Sequence, residues 1–214
     1  MSSPSPAPTV WVIVVAAGSG SRFGGAKQYA PLAGRRVLDW SIDAARSVAD
    51  GVVLVVPPAE VEADEPAVDA TVAGGATRSE SVRAGLAAVP DDATVVVVHD
   101  GARPLATHGL FRAVVDAVLA GADAAVPAAA IVDTLTDLAG VPVDRESLRA
   151  VQTPQAFDGT VLRRVHAAGV EATDDATLVT AASGRVRQVQ GERWNLKITE
   201  ADDLLVAEAI LEAR

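Results

Sequence analysis

Three short stretches of this 214-residue chain bring cations, a carboxylate and glycine together. The first is Ala16-Ala-Gly-Ser-Gly-Ser-Arg-Phe-Gly-Gly-Ala-Lys-Gln28, a loop of small residues carrying Arg22 and Lys27. Gly18 and Gly20 leave room for backbone N–H groups to approach a phosphate chain, and the two cations can offset its charge. The second is His99-Asp-Gly-Ala-Arg-Pro104, with Asp100 and Arg103. A lone carboxylate suits Mg²⁺, whose shell is usually completed by water and substrate phosphates. Equally, Asp100 can cap a turn and Arg103 can form a structural ion pair. The third, Asn195-Leu-Lys-Ile-Thr199, puts Lys197 where it could reach the same crevice.

Other chemistries fail on particular residues. A dinucleotide fingerprint needs glycine three residues after Gly20 and an acid at the second strand's end, where Phe23 and Pro57 stand. A Walker A loop needs Gly-Lys-Ser/Thr, where Ala26-Lys27-Gln28 stands. The absence of cysteine excludes disulfides, thiolate metal sites and a cysteine nucleophile. No Gly-x-Ser-x-Gly elbow accompanies His99, which is read as structural. The net charge of -10 argues against nucleic acid and anionic membrane surfaces as partners. A polyanionic ligand must then be met by a local cationic cluster, which suffices because charges beyond roughly 8 Å are screened.

The elements that must position these residues follow from hydrophobic patterning. Half the chain is hydrophobic and few residues are aromatic, so valine, alanine and leucine must build the core. Valine-rich runs at 10–16, 52–56 and 94–98 read as buried parallel strands, with shorter ones at 67–72, 124–126 and 186–189. Helical spacing follows at 37–49, after a cap at Thr77 or Ser79, after Thr107, and at 158–168 and 174–182. Gly121, Gly169 and Gly184 are expected to stop helices. Thr199, with Asp202 three residues on, is expected to open the last helix. The acidic stretch around Glu60, Glu62, Asp64 and Glu65 reads as a solvated surface. Alternation over 131–138 with a Gly140-Val-Pro142 turn reads as a β-hairpin arm spanning about 131–151.

The expected fold class is α/β, a single Rossmann-like domain over 9–214 with a mostly parallel, doubly wound sheet and a protruding arm. Residues 1–8 read as a disordered tail, not a signal peptide, and no apolar run approaches the roughly 18 residues of a membrane span. A cytoplasmic location is the default.

These stretches, in this order, resemble the 2-C-methyl-D-erythritol 4-phosphate cytidylyltransferase family. The resemblance runs through Ala16 to Arg22, Lys27-Gln28, His99 to Pro104, Asp133-Thr134, Arg145, Thr153-Pro-Gln155, Thr173-Asp-Asp175 and Asn195 to Thr199. It implies transfer of the CMP moiety of CTP to methylerythritol phosphate. Arg22 and Lys27 then grip the triphosphate, Lys197 steadies the reacting phosphate, and Asp100 ligates Mg²⁺. Main chain at Ala16, Ala17 and Gly75, with the Ser81 hydroxyl, reads the base. Arg103 and Thr153 count with the substrate-binding set. The arm clasps a second subunit to form a homodimer, bringing Thr134 and Arg145 to the acceptor phosphate. Three positions depart from the family pattern: Ala26 replaces a proline, Ala76 an acidic residue and Gly101 an alanine. Two other readings are a cytidylyltransferase for another polyol phosphate such as ribitol 5-phosphate, and a nucleotide-binding regulator or inactive homologue.

Overall fold

The valine runs form strands because β-branched side chains fit a pleated surface, and because apolar residues on both faces need a helix layer on each side. The computed structural model describes residues 7–63 and 65–214; the expected tail therefore lies largely outside the described residues, as does Asp64. The first half runs β1 (Val10–Val15), β2 (Pro31–Leu32), β3 (Arg35–Arg36), α1 (Val37–Arg46), β4 (Gly51–Val56), β5 (Ala70–Ala73), α2 (Arg78–Ala87) and β6 (Val95–Asp100). The second half continues with α3 (His108–Leu119), β7 (Ala124–Ala129), β8 (Leu135–Thr136), β9 (Pro142–Val143), β10 (Ala150–Val151) and β11 (Gln155–Asp158). It ends with α4 (Gly159–Ala167), α5 (Asp175–Ala181), β12 (Val186–Gln190) and α6 (Asp202–Glu212).

The main sheet has the order β10-β7-β11-β6-β1-β4-β5, with β12 also paired to β7. Strands β6, β1, β4 and β5 run parallel, and β12 runs parallel to β7. Alternate residues serve opposite cores. Val12, Val14, Leu54 and Val97 pack with Leu38, Ile42, Phe111 and Val114 of α1 and α3. Ile13, Val53, Val55 and Val96 pack with Val82, Leu86, Leu162 and Leu178 of α2, α4 and α5. A third cluster of Leu32, Val37, Leu105, Ile198 and Ala207 seats α6.

Several sequence expectations are corrected. Strand β11 sits antiparallel between β6 and β7; it is four residues long and polar at both ends, so patterning does not mark it. Helix α6 starts at Asp202, and Ala201 stands at its N-cap without a side-chain bond. Asp203, not Asp202, accepts from the backbone N–H groups of Thr199 and Glu200. After α5 the left-handed residue is Ser183, with φ of 60°, not Gly184. Glu65 is not solvated: its side chain is 6 % exposed and both oxygens take the Arg36 guanidinium.

Over 131–151 the ladder is shorter than the alternation suggests. Within the hairpin only Leu135 and Thr136 pair, with Val143 and Pro142, while Ala150 and Val151 pair with Ala129 and Ala128 of β7. Nearly every residue from Ile131 to Val151 is exposed or half-buried. Among the described residues no helix is long and apolar enough to cross a membrane.

Candidate active site

Register alone brings the chemistry-bearing residues together. Val15, at the end of β1, pairs with Val55 of β4 on one side and Asp100 of β6 on the other. The three strands therefore end level, and their loops open on one crevice at the carboxyl edge of the sheet, where open α/β sheets take their ligands. The cavity there is about 460 Å³. Its walls are the first loop from Ala16 to Arg22 with Lys27 and Gln28, the Gly75–Arg78 turn with Ser81, and Asp100, Lys197 and Thr199.

Glycine shapes two of these walls. Gly20 has φ of 65°, and a Cβ there would stand 1.9 Å from the Gly25 carbonyl oxygen. That turn is tight because the Gly20 carbonyl accepts from the N–H groups of Phe23, Gly24 and Gly25. A Cβ on Gly74 would meet the Ala17 Cβ at 2.3 Å, so the β5–α2 turn lies directly against the first loop. Thr77 caps α2 in a capping box with Glu80. The Ser81 hydroxyl donates to the Thr77 carbonyl at 2.9 Å and accepts from the Gly75 N–H at 3.2 Å.

Asp100 is the hub of the crevice. Lys197 Nζ donates to its Oδ2 at 2.8 Å, Arg103 Nε lies 3.7 Å from Oδ2, and Arg78 Nε lies 3.8 Å from Oδ1. Burial alone would push this carboxyl up, but Lys197, Arg78 and Arg103 outweigh it and hold the pKa at about 2. The Lys27 ammonium is lowered by burial first, then by the Lys197 and Arg22 charges. The crevice is thus a cluster of cations around one fully ionised carboxylate in an otherwise acidic protein.

The supporting contacts fix each of these groups. The Asp100 N–H donates to Thr153 Oγ1 at 3.0 Å, and that hydroxyl also meets His99 Nδ1 at 3.2 Å. His99 is fully buried against Phe111, and burial lowers its pKa to about 4, as befits a structural imidazole. Arg103 Nη1 donates to the Asn195 carbonyl at 2.7 Å, and the Ile198 N–H donates to the Ala102 carbonyl at 2.8 Å. These two bonds tie the Lys197 segment to the Asp100 loop.

The structure therefore brings Ala16, Ala17, Gly18, Gly20, Arg22, Lys27, Gly75, Ser81, Asp100 and Lys197 to one cavity. Arg103 and Thr153 lie behind Asp100 and act on it. Thr134 and Arg145 are not brought there: they sit on the arm, where Arg145 donates to the Val132 carbonyl. Among the wall residues, Arg78 escaped the sequence reading and Gln28 is quoted there without a role. Arg78 opens α2 three residues before Ser81, the spacing that puts both on one helix face, and that spacing was the available signal. Gln28 is 2 % exposed, and its Nε2 is buried with no partner.

Among the described residues no cluster of three acidic, histidine or cysteine side chains could hold a metal by itself. One ionised carboxylate in a phosphate-sized crevice nonetheless fits a hard cation whose other ligands come from the nucleotide and water. Lys197 is bonded to one oxygen of this carboxylate, Oδ2.

Known proteins resemble this chain over nearly its whole length. The sequence profile of the IspD family, 2-C-methyl-D-erythritol 4-phosphate cytidylyltransferase, matches residues 10–213. The cytidylyltransferase of that name from Nocardia farcinica is 42 % identical over 220 residues, covering 96 % of this chain and 95 % of its own. The one from Rubrobacter xylanophilus is 42 % identical over 219 residues, covering 94 % of each. The crystal structure of the cytidylyltransferase from Thermus thermophilus superposes with a TM-score of 0.81 at 37 % identity, covering 94 % of this chain and 98 % of that one. The chain belongs to the 2-C-methyl-D-erythritol 4-phosphate cytidylyltransferase family.

Proposed function

We propose that the chain transfers CMP from CTP to 2-C-methyl-D-erythritol 4-phosphate, releasing pyrophosphate, as a step in building isoprenoid precursors. The observation that carries this reading is the gathering of Arg22, Lys27 and Lys197 around Asp100 in one nucleotide-sized crevice, within a chain of this family. A phosphate oxygen of the acceptor attacks the α-phosphorus of CTP. The bond from that phosphorus to the bridging oxygen breaks, and pyrophosphate leaves with the electron pair. The second pKa of a phosphate monoester is about 6, so the nucleophile is already largely ionised at neutral pH and needs no general base.

The barrier is electrostatic. Like unit charges about 4 Å apart repel by about 4 kcal/mol at an effective dielectric of 20. Arg22 and Lys27 reach the triphosphate from the glycine loop, and Lys197 meets the reacting phosphate from the opposite wall. To do so, Lys197 must leave Asp100, to which it is bonded at 2.8 Å. Asp100 would hold Mg²⁺ once that oxygen is released, and the cation would supply further charge stabilisation on the phosphates. Backbone at Ala16, Ala17 and Gly75, with Ser81, lines the part of the cavity suited to a base.

The arm makes the acceptor site a shared one. Thr134 and Arg145 do not line the crevice, and Val132, Leu138, Val141 and Val143 are exposed on the same segment. Apolar side chains on a thinly paired projection support packing against a second copy, so the arm of one protomer serves the crevice of its partner in a homodimer. The cytoplasm supplies both phosphorylated substrates, and a chain without cysteine has no need of an oxidising compartment.

The test is pyrophosphate release from CTP and Mg²⁺ with either methylerythritol phosphate or ribitol 5-phosphate. Release with the first alone is expected. Release with ribitol 5-phosphate alone would move the reaction to another polyol, and silence with both would overturn it.

A further inference from the structure

Arg78 reaches the crevice from a buried ionic chain that the reaction as described does not use. Its Nη1 donates to Asp175 Oδ2 at 2.6 Å, and the other carboxylate oxygen, Oδ1, lies 3.0 Å from His166 Nε2. His166 and Asp175 are 2 % and 1 % exposed. His166 Nδ1 is buried without a partner, which fits the tautomer carrying its hydrogen on Nε2. The chain thus runs from α4 (His166) through the first residue of α5 (Asp175) to the first residue of α2 (Arg78), and ends 3.8 Å from Asp100 Oδ1. The loop between α4 and α5 is clamped to α2 at two further places. Ser79 Oγ meets the Ala172 carbonyl at 3.2 Å, and Arg83 meets Glu171 at 2.6 Å.

The position of Arg78 matters because two carboxylates compete for it. A guanidinium released from Asp175 has Asp100 as its nearest anion, and a direct pair there would occupy the carboxylate that Lys197 now holds. We propose that His166 and Asp175 are positioning residues: they hold Arg78 in the crevice wall, keeping Asp100 and the nucleotide-binding face in their working arrangement. The inference rests on the crevice being the CTP site. Burying an ion pair this deeply is a poor route to stability alone, since an apolar replacement often serves as well. The chain makes better sense as a device for orientation.

Calorimetric CTP binding tests the inference apart from turnover, with wild-type binding as the check on the site assignment itself. Asp175→Asn keeps the shape and removes the charge. It is expected to weaken CTP binding on the order of tenfold, as for loss of a hydrogen bond to a charged group, while the acceptor KM stays within about twofold. Arg78→Lys cannot span both carboxylates and should show the same selectivity. The double variant should be no worse than either single one, because both break one chain. His166→Gln, which keeps a donor near Nε2, should bind CTP better than His166→Leu. Arg78→Lys and His166→Gln keep the test open if Asp175→Asn does not fold. Unchanged CTP affinity in folded variants, equal losses for CTP and acceptor, or additive losses in the double variant would each overturn the proposal. If the wild-type protein itself fails to bind CTP, the site assignment falls, and the inference with it.

Discussion

The crevice and the arm hold their charged residues in opposite ways. In the crevice, Lys27 follows a tight glycine turn, Arg78 opens the capped helix α2, and the Lys197 segment is tied to the Asp100 loop by the Arg103–Asn195 and Ile198–Ala102 bonds. On the arm, Thr134 and Arg145 lie on a segment paired through two residues on each side, almost all of it open to solvent. The first region is complete within one chain. The second has too few contacts of its own to hold a side chain within the tolerance phosphate transfer needs, and in the proposed dimer a partner would supply them. Under the proposed function, the nucleotide half of the site would be preorganised by folding, and the acceptor half by assembly.

The largest effects should come from the crevice. Lys27→Ala or Lys197→Ala should cost about 3 kcal/mol in transition-state stabilisation, comparable to losing one oxyanion donor. Steady-state kcat/KM checks it, and near-normal turnover would remove that lysine from the mechanism. Asp100→Asn should act in two directions. In Mg²⁺ it should weaken CTP binding by about 2 kcal/mol; after chelation it should tighten CTP binding, because the cations lose their competing anion. Titration of CTP with and without EDTA reads both, and weakening in each condition would mark Asp100 as structural only.

The arm should respond more selectively. Arg145→Ala should weaken acceptor binding, read as KM, by about 1.5–3 kcal/mol, the usual worth of a charged hydrogen bond, and leave CTP affinity unchanged. A change in CTP affinity instead would merge the two halves of the site. The smallest effect concerns the glycine loop. Ala26 has φ of -73°, already within the range of the proline found at this position in the family pattern. Ala26→Pro should therefore stabilise the protein by about 0.4–1 kcal/mol, read from thermal or denaturant unfolding; a loss of stability would show that the loop needs the N–H.

Much of the crevice could be read from sequence because its signals are local. Unbroken valine marks central strands; Asp100 ends one of them, and Arg22 and Lys27 stand in the glycine loop that follows another. What the sequence hid depends on distant partners. Strand β11 is recognisable only once β6 and β7 flank it. Glu65 looks solvated until Arg36, 29 residues earlier, reaches it. Arg78 looks like an ordinary helix-start cation until Asp175 and Asp100 close around it, across separations that no periodicity reports. The departure at Ala76 also reads differently in three dimensions. Its N–H donates to Glu80 Oε2 at 2.6 Å, so an acid still faces the turn, from one helical turn further on.

In the proposed homodimer one protomer binds CTP and its partner's arm completes the acceptor site. Subunit complementation tests it most directly. Lys27→Ala and Arg145→Ala proteins are each assayed at low acceptor concentration, where both are nearly silent, and then mixed and allowed to exchange subunits. Mixed dimers place both defects in one crevice and leave the other intact, so the mixture should recover roughly a quarter of the wild-type rate. A rate no higher than the average of the two separate variants, with exchange verified by mass, would contradict a shared site and return the acceptor groups to a single chain.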